Sequence, residues 1–353
     1  MINIGIIGSN GLVGKAILES LNMFNLFSDF NNNKYDISLF GTNDSISEMK
    51  INNIDTTLQI HKFEFNHLHN LKYIILAVEN NIAKQIYSYC TENNLNITII
   101  DNSSEFRLQN DIILCIPEIN SNLLDSLDKL KQNKPKLISN PNCVTTLMCM
   151  VLKPLLSLGQ IKRIVVSTYQ AASGAGYKGL RELITQTEEI ISNDTTDKNI
   201  LTTDFWKRQY IYNVFSHNSK INQDNLFNEE ELKLVYETKK ILNINPKITA
   251  TCIRVPTLRS HCISLNVEFD KIIKKEDILI KLNDFQGISI LDDITENRFP
   301  EPVLTSEKTD IYVGRIRSDI DDETCWNFFI SGDQLLKGAG YNSVQILNYL
   351  LKL

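Results

Sequence analysis

A short apolar run, Ile2–Ile7, ends in the turn Gly8-Ser9-Asn10-Gly11-Leu12-Val13-Gly14 and passes into a stretch of helical spacing, Lys15–Leu21. Nothing else in the chain constrains its fold as tightly. A buried strand, a glycine-rich turn and a helix in that order open a βαβ unit. Glycines permit a tight turn and let backbone N–H groups approach a pyrophosphate, while the helix N-terminus adds partial positive charge. The pattern is GxxGxxG rather than GxGxxG, so dinucleotide binding rests on the strand–turn–helix context.

Further along, Tyr35–Phe40, Leu71–Val78, Ile97–Asp101 and Ile112–Ile116 read as strands, with a helix over Asn81–Asn94. Strands alternating with helices imply a doubly wound parallel sheet. From Cys143 the texture changes. Val144–Leu158 reads as an apolar helix bent at Pro154, Ile161–Tyr169 as a strand and Tyr177–Ser192 as a helix. The polar stretch Asn193–Asn228 reads as an irregular insertion, and Glu229–Leu242 as a charged helix. Thr249–Val255, Ser264–Phe269, Ile288–Asp292, Ile311–Ile316 and Cys325–Ser331 suit a larger, mainly antiparallel sheet. Asp333–Leu351 reads as one final amphipathic helix that returns to the first domain. The expected fold class is α/β: an N-terminal Rossmann-like domain over 1–139, completed by 333–353, and an α+β domain over 140–332.

The 353 residues carry 36 Lys+Arg against 42 Asp+Glu, a net charge of −6, and no basic run of nucleic-acid type. That balance argues against a nucleic-acid partner. The longest apolar stretches fall far short of a membrane span, and no basic n-region precedes them, so the expected location is the cytoplasm. Seven cysteines lie scattered without a CxxC pair; six suit buried apolar positions, and Cys143 stands apart. His61, His67 and His69 sit in a linker-like stretch with no acidic or thiol partner at ligand spacing, which reads as surface histidines and no metal site.

Three further motifs bear on chemistry. In Asn140-Pro141-Asn142-Cys143, Pro141 precedes a helix start and puts the cysteine near a helix N-terminus, a position that favours thiolate. A thiolate beside a nicotinamide suits aldehyde oxidation through a thioester. Ser167-Thr168-Tyr169-Gln170-Ala171-Ala172-Ser173-Gly174-Ala175-Gly176 carries a strand into a loop of small residues, where backbone amides and Gln170 can approach a ligand. In Arg254-Val255-Pro256-Thr257-Leu258-Arg259-Ser260-His261, a strand arginine can fork onto a carboxylate and a histidine can move protons. Taken alone, His261 is a structural histidine, and Glu229-Glu230-Glu231-Leu232-Lys233 is a solvated helix face.

Together with Asn297-Arg298-Phe299-Pro300 and Gly332-Asp333-Gln334-Leu335-Leu336-Lys337-Gly338-Ala339, these segments resemble the aspartate-semialdehyde dehydrogenase family over nearly the whole chain. The resemblance implies Cys143 as the acyl-thioester nucleophile and His261 as acid/base. It implies Arg254 for the substrate carboxylate, Glu230 for its ammonium and Gln170 for its orientation. Arg107, in Asn102-Ser103-Ser104-Glu105-Phe106-Arg107, resembles the family's phosphate-binding arginine, with Lys233 as its partner. Cofactor contacts are implied for Asn10, Gly11, Leu12, Val13, Ser173, Gly174 and Gln334, and a homodimer through the second, catalytic domain. Charge logic agrees, because two cations suit phosphate while an arginine and a glutamate suit a zwitterionic amino acid.

Two stretches depart from the family pattern. Thr42, Asp44 and Ser45 fall where the family meets the adenosine 2′-phosphate; the resemblance implies NADP with Thr42 and Ser45 as contacts, and because a carboxylate at Asp44 repels a phosphate, NAD is the alternative. Ala77-Val78-Glu79-Asn80-Asn81 replaces the usual small residues near the nicotinamide. The rival enzyme is an N-acetyl-glutamyl-phosphate reductase, whose acetylated amine offers Glu230 no charge. A non-catalytic paralogue is the rival from another class.

Overall fold

The computed structural model describes residues 1–27, 34–41, 47–49, 58–127, 135–193 and 201–352. The chain divides into two compact units, Met1–Cys143 with Gly338–Leu353, and Val144–Lys337.

The first unit carries β1 (Ile2–Ile7), α1 (Leu12–Met23), β2 (Tyr35–Gly41), β3 (Ser47–Met49), β4 (Leu58–Lys62), β5 (Tyr73–Leu76), α2 (Asn80–Glu92), β6 (Thr98–Asp101), β7 (Ile113–Leu114) and β8 (Lys136–Ser139). They form an eight-stranded sheet ordered β3-β4-β2-β1-β5-β6-β8-β7. All neighbours are parallel except β3 and β4. Chain order reverses at β1, which pairs with β2 on one side and β5 on the other, the switch point at which such sheets take ligands. The central strands are apolar on both faces because both faces are covered. Ile4, Ile6, Ile75 and Ile100 pack with Ile17, Leu18 and Leu21 of α1, and Ile7, Ile74, Leu76 and Ile99 with Ala83, Ile86 and Cys90 of α2. Each such branched side chain, fully buried, contributes about 1.5–3 kcal/mol.

The chain's last helix, Tyr341–Leu350, buries Val344, Ile346, Leu347 and Leu350 in the same core as α1. It is shorter than the helix expected over Asp333–Leu351. The Asp333 carboxylate accepts the N–H groups of Leu335 and Leu336, and Leu336–Gly340 winds as a wide π turn before the α-helix begins. Glycines make that turn possible: a Cβ on Gly338 would lie 2.8 Å from Cys143 Cβ, and one on Gly340 2.7 Å from the Ala16 backbone. The stretch holding His61, His67 and His69 is no linker. His61 lies on β4, and Phe65–Asn70 is a 3-10 helix in which His67 Nδ1 accepts from Glu64 N–H and the ring stacks on Phe40.

The second unit opens on α3 (Cys143–Leu155), whose first residue closes the first unit. This helix ends just after Pro154, short of the expected Leu158. There follow β9 (Ile161–Gln170), α4 (Gly176–Asn193), β10 (Phe215–Ser216), α5 (Glu229–Leu242), β11 (Lys247–Arg254), β12 (His261–Phe269), α6 (Lys275–Asn283), β13 (Ile288–Ile290), β14 (Ile311–Ser318) and β15 (Cys325–Gly332). The sheet is ordered β10-β11-β9-β12-β15-β14-β13, antiparallel except for β11–β9 and β13–β14. Cys149, Cys252 and Cys262 are buried, and burial pushes their thiols up. Cys325, expected inside, is half-buried, because it opens β15 beside the turn Asp321–Thr324.

Candidate active site

Strand register gathers the polar residues of the second unit at one end of its sheet. β9 and β11 run parallel with Arg254 opposite Gln170, and the antiparallel β12 starts at that end with His261. Glu230 reaches them from the first turn of α5. Asn228 caps that helix in a reciprocal box with Glu231, and Glu231 also accepts the Cys252 N–H, which pins α5 to β11. Glu230 is only 5% exposed and is not part of a solvated face. Its carboxylate accepts Gln170 Nε2 at 3.2 Å and Lys233 Nζ at 3.3 Å.

Arg254 and His261 are buried. Arg254 Nη1 donates to the Ala171 carbonyl at 3.1 Å and Nε to Asn218 Oδ1 at 3.3 Å, while the guanidinium lies 5.4 Å from the Trp206 ring centroid. His261 Nδ1 accepts the Ala171 N–H, and no partner meets Nε2 among the described residues. Gly174 leaves the ring room: a Cβ there would sit 2.9 Å from Nε2 and 3.1 Å from Arg254 Nη1. Burial first, then the guanidinium, holds His261 down at about 3. His217 is held at about 3 by the same two causes.

Trp206, Tyr210, His217 and Asn218 belong to the stretch read from sequence as an insertion. Its pattern of polar residues hid their placement; the aromatic spacing Trp206, Tyr210, Phe215 was the available signal. These three rings pack edge to face. Residues 194–200 lie outside the described residues.

Ser173 and Gln334 come together as well. Gln334 Nε2 donates to Ser173 Oγ at 2.6 Å, and its Oε1 accepts the Ser260 N–H at 2.8 Å. Both side chains are buried and turned to each other, which fixes the Gly174 loop against the start of β12.

In the first unit, Gly8 (φ +89°) turns the chain after β1, and a Cβ on it would lie 2.2 Å from the Ala77 carbonyl. Gly14 closes on Gly8, with its Cβ position 2.3 Å from the Gly8 oxygen. α1 starts at Leu12, earlier than expected, with Gly11 as its cap, no side-chain hydrogen bond at that cap and no acidic residue in its first turn. A Cβ on Gly11 would meet the Gly8 carbonyl oxygen at 3.5 Å, an ordinary van der Waals contact. An uncapped helix start beside a turn closed by Gly8, Gly11 and Gly14 fits a dinucleotide pyrophosphate. Asn10 is exposed, and Leu12 and Val13 are half-buried around the cradle. Thr42, Asp44 and Ser45 lie outside the described residues.

Arg107 is buried and donates from Nη2 to the Asn102 carbonyl at 2.8 Å. Asp101, at the end of β6, accepts from Ser103 N–H and Oγ and faces the Arg107 charge, yet burial prevails and raises its pKa. Glu79 precedes α2 without a side-chain capping bond, while Asn80 donates to Ser104 Oγ and accepts the Ser104 N–H, so Asn80 ties α2 to the loop leading to Arg107. Cys143 is half-buried at the first position of α3.

Fold and residues define a dinucleotide-binding oxidoreductase. Residues 3–127 match the family described as semialdehyde dehydrogenase, NAD binding domain, and residues 152–337 the semialdehyde dehydrogenase dimerisation domain. An aspartate-semialdehyde dehydrogenase of Helicobacter pylori (strain ATCC 700392 / 26695) is 31% identical over 99% of this chain and 98% of its own. One from Prochlorococcus marinus is 41% identical over 73% of this chain and 72% of its own. The crystal structure of aspartate semialdehyde dehydrogenase II from Vibrio cholerae complexed with ASA superposes with a TM-score of 0.84 at 28% identity, covering 100% of this chain and 98% of that one. The chain belongs to the aspartate-semialdehyde dehydrogenase family.

Proposed function

We propose that the chain reduces L-aspartyl 4-phosphate to L-aspartate 4-semialdehyde with release of phosphate, in the biosynthesis of lysine, threonine, methionine and diaminopimelate. The observation that carries this reading is the buried grouping of Arg254, Glu230, Gln170 and His261. One cation and one anion at the same sheet end suit the carboxylate and ammonium of a free amino acid.

In this reading the Cys143 thiolate attacks the acyl carbon, the bond to phosphate oxygen breaks, and phosphate leaves with the electron pair. Arg254 takes the α-carboxylate, Glu230 the α-ammonium, and Gln170 orients the chain. Arg107 and Lys233 take the phosphoryl group. His261 donates from Nε2 to the acyl oxygen as charge builds on it, an electrostatic contribution. The reduced nicotinamide dinucleotide, held by Asn10–Val13, Ser173, Gly174 and Gln334, supplies a hydride when bound. Collapse of the Cys143 hemithioacetal then frees the aldehyde and restores the thiolate.

NADP is the proposed dinucleotide, and a homodimer through the second unit the proposed assembly, supported by the match to the dimerisation domain. Seven cysteines outside any disulfide suit the proposed cytoplasmic location; among the described residues no helix is long and apolar enough to cross a membrane. The deciding assay follows dinucleotide reduction by the purified protein with L-aspartate 4-semialdehyde, with and without phosphate, using NADP and NAD in parallel. Phosphate-dependent reduction is expected, faster with NADP. Turnover of N-acetylglutamate semialdehyde instead would favour the acetylated substrate, and silence with both aldehydes a non-catalytic paralogue.

A further inference from the structure

A guanidinium can grip a carboxylate through two parallel bonds only if its plane is held. The segment between α4 and α5 supplies two residues that meet Arg254, Trp206 before β10 and Asn218 after it. Asn218 Oδ1 accepts from Nε at 3.3 Å, and the guanidinium carbon lies over the Trp206 ring, 5.4 Å from its centroid. We propose that Asn218 and Trp206 are positioning residues that set the Arg254 guanidinium for the substrate carboxylate; this rests on the role given to Arg254 above.

The support continues outward from these two residues. Trp206 Nε1 donates to the Gly179 carbonyl at 2.9 Å, and its backbone N–H donates to Glu182 Oε1 at 2.9 Å. Glu182, Gln186 and Glu189 follow one face of α4. Gln186 alone accepts the N–H of Tyr210 and Ile211 and donates to the Thr202 and Arg208 carbonyls, and Glu189 accepts the Thr202 N–H. Tyr210 then donates its hydroxyl to the Val255 carbonyl at 2.7 Å, just beyond Arg254 on β11. A polar helix face thus fixes a loop, and the loop fixes one arginine.

The test measures steady-state kinetics of the full chain in the oxidative direction for Asn218→Ala, Trp206→Phe and Trp206→Leu. KM for the semialdehyde should rise about fivefold in Asn218→Ala and Trp206→Phe, and further in Trp206→Leu. KM for NADP and phosphate should stay put, with kcat within about twofold. In an Arg254→Lys background neither Asn218→Ala nor Trp206→Phe should lower kcat/KM further, because the group they position is gone. Trp206 is buried and its leucine variant can lose the fold; Asn218 is exposed and decides the question alone. A fall in kcat at constant KM, a rise in all three KM values, or full additivity with Arg254→Lys would overturn the proposal. Normal kinetics in Arg254→Lys itself would instead remove Arg254 from substrate binding.

Discussion

The backbone N–H of Ala171 donates to Nδ1 of His261 at 3.0 Å. An accepting Nδ1 places the proton of the neutral ring on Nε2. With the pKa held at about 3, the ring is neutral throughout the range where an ordinary histidine titrates. The pH profile of kcat/KM should therefore show no ionisation of His261 between pH 6 and 7. His261→Asn should lower the rate without altering the profile's shape there. A limb near pH 6.5 that vanishes in His261→Asn would contradict the assignment.

The second depressed histidine bears on stability. His217 is held at about 3 in the folded chain and returns to the ordinary 6.5 on unfolding. The unfolded state thus binds the extra proton, so the contribution is complete above pH 6.5 and drains away as pH falls toward 3. One such group sets a slope of up to about 1.4 kcal/mol per pH unit. Melting temperatures of the wild type and His217→Gln should diverge on acidification from pH 6.5 to 4.5, with the variant losing less. Parallel curves would show that His217 is open to solvent.

Gly174→Ala probes the room above the histidine. Its Cβ would meet His261 Nε2 and Cε1 at 2.9 Å, and neither ring nor guanidinium can retreat without breaking its bond to Ala171. The fold should survive, since Gly174 is exposed. kcat/KM should drop by about tenfold or more. An unchanged value would mean the ring is free to move.

Gly8 and Gly11 separate fold from ligand. Gly8→Ala puts a Cβ at positive φ and into the Ala77 carbonyl, and should cost about 2 kcal/mol or more, read by denaturant unfolding. Gly11 has φ −76° and its Cβ position meets the Gly8 oxygen at an ordinary 3.5 Å, so Gly11→Ala should fold normally. Its methyl group would instead crowd the cradle and raise KM for the dinucleotide by about tenfold. Normal dinucleotide kinetics in Gly11→Ala would place the pyrophosphate elsewhere.

Cys143→Ala should end turnover while leaving the melting temperature within about 2 °C, since the side chain is half-buried and small. Persisting turnover would remove Cys143 as the nucleophile. Cys149→Ala, deep in α3 beside Thr238, should do the reverse.

What the sequence revealed follows from how each element is buried. β1, β2 and α5 were legible almost to the residue, because their apolar runs or helical charge pattern are continuous. β4 escaped because Ile60 alone among its five residues is buried, and α6 because only Ile278 and Leu282 face inward. The site's chain neighbours were legible, as glycine turns and the Asn-Pro-Asn-Cys motif carry their geometry locally. Glu230 was ambiguous in a run of three glutamates, since only register with Gln170 sets it apart. Trp206 left only the aromatic spacing with Tyr210 and Phe215 as a signal and Asn218 none, because their partner, Arg254, lies far along the chain and meets them only through tertiary packing.

The last helix has a consequence for the order in which the chain is made. Its Val344, Leu347 and Leu350 fill the core against Ile17, Leu18 and Leu21, residues synthesised more than three hundred positions earlier. On the ribosome, the N-terminal sheet must wait with one apolar layer open while the whole second unit is translated. At typical elongation rates that delay is tens of seconds. The second unit can close meanwhile from its own contiguous residues. The nascent N-terminal half is therefore the part of this polypeptide most in need of shielding, and the helix Tyr341–Leu350 releases it from that need.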